Sequence, residues 1–145
     1  MDIQEYVTKD EVKKVCSQLN IRDWSELKNE GVSIEEAEII RSKVNIEKMN
    51  IDIEDFRQGL EVELEHGTRY KDANITNNHP LLTGKIVIAH LKESLDYYKL
   101  LEVAELKGDL LKAAKTNDIL KIKDKYKKLV SAKLKLNQSI LNQLS

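Results

Sequence analysis

Three histidines fall at positions 66, 79 and 90, and two of them have a glutamate three residues away. The pairs are Glu63 with His66 and His90 with Glu93. On a helix that spacing sets the two members of a pair side by side. Imidazole with carboxylate is the donor set of zinc, iron and manganese sites. Helical bundles hold di-iron and di-manganese centres on Glu-x-x-His pairs plus further glutamates from facing helices. Those centres use two forward motifs, whereas here one motif is forward and the other reversed. Glu61 and Glu65 flank the first motif, and the helical wheel puts both on its outer face. The same residue types have a second use. Glu63, His66 and His90, with Tyr97 or Tyr98, can form a buried hydrogen-bonded network that fixes how two helices pack. At about 100° per residue, Glu63 falls beside the arc made by Phe56, Leu60 and Leu64, about 20° beyond Phe56, and so borders the buried side. A carboxylate there needs a partner, because burying an unpaired charge costs several kcal/mol. His79, next to Pro80, reads as a helix cap, and Tyr97-Tyr98 as a core pair.

Other chemistries find less support. Gly84-Lys85 lacks the upstream glycines of a phosphate loop. There is no nucleophile elbow, and the single cysteine, Cys16, lies on the inward stripe of its helix. The sequence leans away from an enzyme.

The elements that must position these residues are helices. Thr8 with Glu11 reads as a capping box, followed by Val12, Val15, Cys16 and Leu19 at helical spacing. Ser33 with Glu36 is a second box, opening a helix with Ala37, Ile40 and Val44 on one face. Between them lies a loop with a short helical turn, with Trp24 plugging the edge of the core. A third helix is expected over residues 53–66, with Gly67 as its stop. Residues 67–79 form the longest polar irregular segment. Pro80 opens a fourth helix, expected to run through residue 107. A last helix from about residue 117 repeats apolar residues at Ile119, Ile122, Tyr126, Leu129, Leu136, Ile140 and Leu144. Strand patterns are absent. The expectation is an all-α fold of four or five helices around a central antiparallel pair joined by residues 67–79.

The 145 residues carry a net charge of −1, 34% of them are charged and 41% are hydrophobic. That is enough apolar material for one ordinary domain. The balance hides an asymmetry: residues 108–145 hold nine Lys and three Asp, and residues 1–107 are net −7. The division expected from charge is an acidic helical domain, 1–107, and a basic amphipathic C-terminal helix, 108–145. The arm's apolar stripe needs burial, on the body, on a protein partner or on a second copy. Its lysines could neutralise phosphates, but it has no Arg and one aromatic, Tyr126, so nucleic-acid binding is a weak reading. One cysteine, a polar N-terminal segment without an apolar signal core, and no apolar run of about 18 residues point to a cytoplasmic protein with no membrane role.

The segments at residues 56–67 and 83–101 resemble a family of small proteins catalogued as a domain of unknown function. Its pattern is a Val-Glu-x-Glu-His stretch, a variable loop, then His-Leu-x-Glu-x-x-x-Tyr-Tyr. The matching positions here are Val62, Glu63, Glu65 and His66, then His90, Leu91, Glu93, Tyr97 and Tyr98. Members of that family often carry Asp where this chain has His79, and many carry Pro in the slot of Leu95. The resemblance implies a bacterial, phage or large-DNA-virus setting, in host cytoplasm or a virion, and names no reaction. Three functions follow as expectations. The first is a helical accessory or interaction protein with a Glu/His/Tyr cluster. The second is a metal-binding bundle, with a metal-dependent enzyme as its catalytic form, holding Zn, Mn or Fe on Glu63, His66, His90 and Glu93. The third is a nucleic-acid-associated protein using the basic arm.

Overall fold

The computed structural model describes Met1 and residues 3–145. Six α-helices and two 3-10 turns follow in order: α1 Lys9–Leu19, a turn at Trp24–Glu26, α2 Ile34–Val44, α3 Ile53–Arg69, a turn at Lys71–Ala73, α4 Pro80–Glu93, α5 Tyr97–Lys115 and α6 Ile119–Leu144. No strand occurs among the described residues, so the fold is all-α. The chain forms two compact units, Met1–Lys92 and Glu93–Ser145.

Local chemistry starts the helices of the first unit. Thr8 Oγ1 accepts the Glu11 N–H at the start of α1, and Asp52 accepts from Glu54 and Asp55 at the start of α3. Ser33 and Glu36 make the reciprocal capping box of α2, in which each side chain accepts the other's backbone N–H. His79 Nδ1 accepts the Leu82 N–H at 3.3 Å, which is the cap expected ahead of Pro80. The core of this unit is built from Val12, Trp24, Ile40, Phe56, Leu60, Leu64, Val87 and Leu91, all essentially without solvent exposure. Each such side chain contributes about 1.5–3 kcal/mol by leaving water.

Two glycines mark close approaches. A Cβ on Gly84 of α4 would lie 2.6 Å from Ile40 Cγ2 and 3.2 Å from Val44 Cγ2, so α4 seats directly on α2. Gly67, expected to stop α3, is instead buried inside it, and the helix continues to Arg69. Its missing side chain makes room for the loop: a Cβ there would meet the side chains of Asn78 and Asn74 at under 3 Å. Gly67 is glycine for space and not for a left-handed cap.

The fourth helix expected from sequence is two helices. Ser94 Oγ accepts the Asp96 N–H at 3.1 Å, and this local bond competes with the helical ladder. The chain then restarts at Tyr97 as α5. The division into units falls at this break, while Gly108, where the charge changes, is an exposed residue inside α5.

In the second unit α5 and α6 are joined by residues 116–118 and form an antiparallel hairpin. Its seam is Val103, Leu106, Leu129, Ala132 and Leu136, with Leu110 alongside. Asp96, buried at the start of α5, takes the Ser139 hydroxyl at 2.5 Å and the Gln143 amide at 2.7 Å from the far end of α6. Asp109 pairs with Lys125 at 2.9 Å nearer the turn. The expected α6 stripe is thereby divided: Leu129 and Leu136 are buried, while Ile119, Tyr126, Ile140 and Leu144 are exposed.

Replacing Gly84 with Ala tests the α2–α4 seat. Alanine gains about 1 kcal/mol of helix propensity, but overpacking a core contact costs about 1–3 kcal/mol. The 2.6 Å approach to a fully buried isoleucine decides the sign. Urea denaturation should show a net loss of about 1 kcal/mol, and Gly108→Ala, with nothing within 4 Å, a gain of similar size.

Candidate functional site

Of the four acid and imidazole positions singled out in the sequence, Glu63 and His90 meet. Glu63 sits on α3 and His90 on α4, with His90 Nε2 3.5 Å from Glu63 Oε1. The Glu63 side chain keeps 13% of its exposure and that of His90 29%, so both are largely withdrawn from water. On the wheel Glu63 lies next to Phe56 at the edge of the buried arc, and its side chain is turned inward. His66 lies about 60° further round the helix, and it is exposed. It belongs to the last turn of α3, where a basic side chain suits the carbonyl end of the helix dipole. Glu93, the last residue of α4, is exposed and belongs to the second unit. Tyr97 and Tyr98 open α5 with their rings edge to face at 5.1 Å, Tyr98 buried and Tyr97 half-buried. Among the described residues, no group of three or more His, Cys, Asp or Glu side chains could hold a metal ion.

A buried carboxylate with three polar partners lies elsewhere. Glu36, 7% exposed, receives the Trp24 indole N–H at 3.1 Å and the Arg22 guanidinium at 2.9 Å on Oε1, and the Ser33 N–H at 3.0 Å on Oε2. Arg22 also donates to the Gly31 carbonyl. The Trp24 backbone N–H donates to Cys16 Sγ, and its carbonyl accepts from Asn78 Nδ2. Burial pushes the Cys16 thiol above its ordinary range, so it stays protonated and unreactive. Glu61, placed on the outer face by the wheel, accepts the Val32 N–H and pairs with Arg57, tying the loop before α2 to α3. The capping-box spacing announced Glu36 as a cap; nothing in the spacing announced Trp24 as its second partner.

The proton affinity of His79 is displaced. Burial lowers it from the ordinary value, Lys85 pushes the same way, and Glu11 opposes. The neutral ring also keeps the Nδ1 lone pair that caps Leu82.

A family model described as a protein of unknown function (DUF5661) matches residues 12–107. The chain belongs to that family, and the match extends well beyond the two segments that carried the resemblance. No curated protein and no solved structure matches the chain significantly.

Two outcomes test this geometry. In a double-mutant cycle of Glu63→Ala and His90→Ala, chemical denaturation should give a coupling of about 1 kcal/mol. The glutamate, being the more buried, should cost more alone. For His79 the folded-state affinity lies below the unfolded one, so its contribution is complete above about pH 6.5 and is lost as pH falls through the lower folded value. His79→Asn keeps a capping oxygen without that titration. The stability gap between wild type and variant should therefore shift in favour of the variant as pH drops toward about 5.

Proposed function

We propose that the protein works by assembly and not by catalysis, as an accessory helical module that pairs with a second copy of itself through the outer face of the α5–α6 hairpin. The observation behind this is an apolar stripe that the hairpin seam does not use. Ile119, Tyr126, Val130, Leu134, Leu141 and Leu144 are 52–79% exposed. At 100° per residue they occupy an arc of about 80°, centred roughly 130° round α6 from Leu129, Ala132 and Leu136. On α5, Leu100 and Leu111 are exposed and lie turned from the seam in the same rotational sense. In an antiparallel pair that sense brings both stripes to one side of the hairpin.

The size of this face suits a dimer. Helix α6 has 26 residues and is about 39 Å long. Two helices about 8–10 Å apart give a face of roughly 700 Å², close to the roughly 800 Å² per partner of a standard interface. Apolar patches above a few hundred Å² are rare on monomers. The charges favour an antiparallel arrangement of the two α6 helices. Five lysines lie at positions 121, 123, 125, 127 and 128, and no charged residue follows Lys135. A two-fold axis between Val130 and Leu134 sets Lys123 and Lys127 opposite Leu141 and Asn137 of the second copy, away from its own lysines. Lys125 and Lys128 are already paired, with Asp109 and Asp124. Two such hairpins would complete a four-helix bundle.

Within the first unit, the Glu63–His90 pair serves this reading as a packing contact between α3 and α4. A bacterial, phage or viral setting, in cytoplasm or virion, fits the Lys-, Ile- and Asn-rich sequence and the free, buried Cys16.

Light scattering on the full chain is the test. At about 100 μM, an ordinary range for weak self-association, the mass should be twice the 16.7 kDa of one chain. Val130→Glu with Leu134→Glu should return it to one chain without change in helical circular dichroism, since both side chains are solvent-exposed. A wild-type chain that stays monomeric at that concentration, or a dimer indifferent to the double substitution, removes the reading.

A further inference from the structure

The first unit is acidic, with eighteen Asp and Glu against thirteen Lys and Arg. One cleft in it runs against that balance. It has a volume of about 470 Å³ and lies where the start of α1, the first 3-10 turn and the end of α3 converge on the polar loop. Lys9, Lys28 and Lys71 line it from three separate segments, with Glu26 as its single acidic lining residue. Lys9 stands 3.5 Å from Glu26, both side chains being solvent-exposed. Lys28 and Lys71 have no carboxylate partner among the described residues. The lining residues alone sum to +2, with the Glu5 carboxylate held against Asn77 of the floor, in a unit whose net charge is −5.

The floor of the cleft is constructed at a cost. Asn77 and Asn78 both adopt the left-handed conformation, with φ of 47° and 59°. Two consecutive non-glycine residues there are strained, and such strain concentrates at ligand sites. Asn74 Oδ1 accepts the Asn78 N–H, and Asn78 Nδ2 donates to the buried Trp24 carbonyl. Asn77 is held by Glu5 and the Val7 carbonyl. Gly67 lets this asparagine layer lie flat against α3, since any side chain there would collide with it. The polar loop is thus a fixed platform, and the lysines stand round it.

We propose that this cleft binds a phosphorylated small molecule. A phosphate monoester carries about two negative charges near neutral pH, matching the local excess. The volume falls within the roughly 300–1,000 Å³ of small-molecule sites, leaving room for more than the phosphate itself. Lysine is a point-charge phosphate binder that needs no bidentate geometry. Lys28 and Lys71 supply the main attraction, and Lys9 exchanges its exposed glutamate for the ligand.

Titration calorimetry of the full chain with inorganic phosphate and with ADP, in about 50 mM salt to limit screening, tests it. Saturable binding is expected, tighter for ADP, and weakened at least about tenfold in Lys28→Gln with Lys71→Gln, by loss of two charged contacts. Glu26→Gln should tighten it. Lys13→Gln with Lys14→Gln, on exposed positions of α1 outside the cleft, should leave it unchanged. Absence of saturable binding by both probes, or equal loss in the two lysine pairs, overturns the proposal. The glutamines replace exposed side chains, and unchanged circular dichroism confirms that the fold is intact.

Discussion

A single buried carboxylate organises the first unit. Glu36 closes the N-terminus of α2, fixes the indole of Trp24 and neutralises Arg22. Through Trp24 the same network reaches Cys16 on α1 and Asn78 in the loop that leads into α4. Hydrogen bonds to a charged group contribute about 1.5–3 kcal/mol each when complete. Leaving such a charge buried without its partners costs more than the bonds gained. The network therefore holds as a set, and through Asn78 it reaches the polar loop. That loop carries the lysine-rimmed cleft, so the position of Trp24 and the shape of the cleft are mechanically linked.

The second unit rests on a narrower base. Its seam residues are small in number, and several retain some exposure, with Val103 at 9% and Leu136 at 8%. Buried Asp96 compensates by joining the two free ends of the hairpin. A hairpin with a thin seam and a second apolar face is incomplete as an isolated object. The proposed pairing with its own copy would withdraw that face from water and set the lysine-dense half of α6 next to an uncharged half.

How far the residues themselves announced all this varies by element. The starts of α1, α2 and α4 were legible because each rests on a bond between neighbours: Thr8 to Glu11, Ser33 to Glu36, His79 to Leu82. The break between α4 and α5 was missed because Ser94 and Asp96 are tolerated within helices, and only their mutual bond ends this one. The proline that many members of the resembling family carry in the slot of Leu95 was the available signal. Gly67 was misread because a glycine's conformational freedom is visible in sequence, while the asparagines that need its empty space lie seven and eleven residues on. At the candidate site, a spacing of three kept Glu63 and His66 adjacent but could not say that the buried arc ends between them.

The residues alone determined the all-α character, the helix caps, the inward positions of Cys16, Trp24 and Glu63, and the uneven distribution of charge. All of these depend on periodicity and on bonds spanning a few residues. Only tertiary structure decided which neighbour Glu36 would hold, that Glu63 would meet His90 while His66 faced solvent, and that the α6 stripe would divide into a seam and a vacant face. Those outcomes depend on which segments approach each other across tens of residues, where the physical choice is between partners and not between conformations.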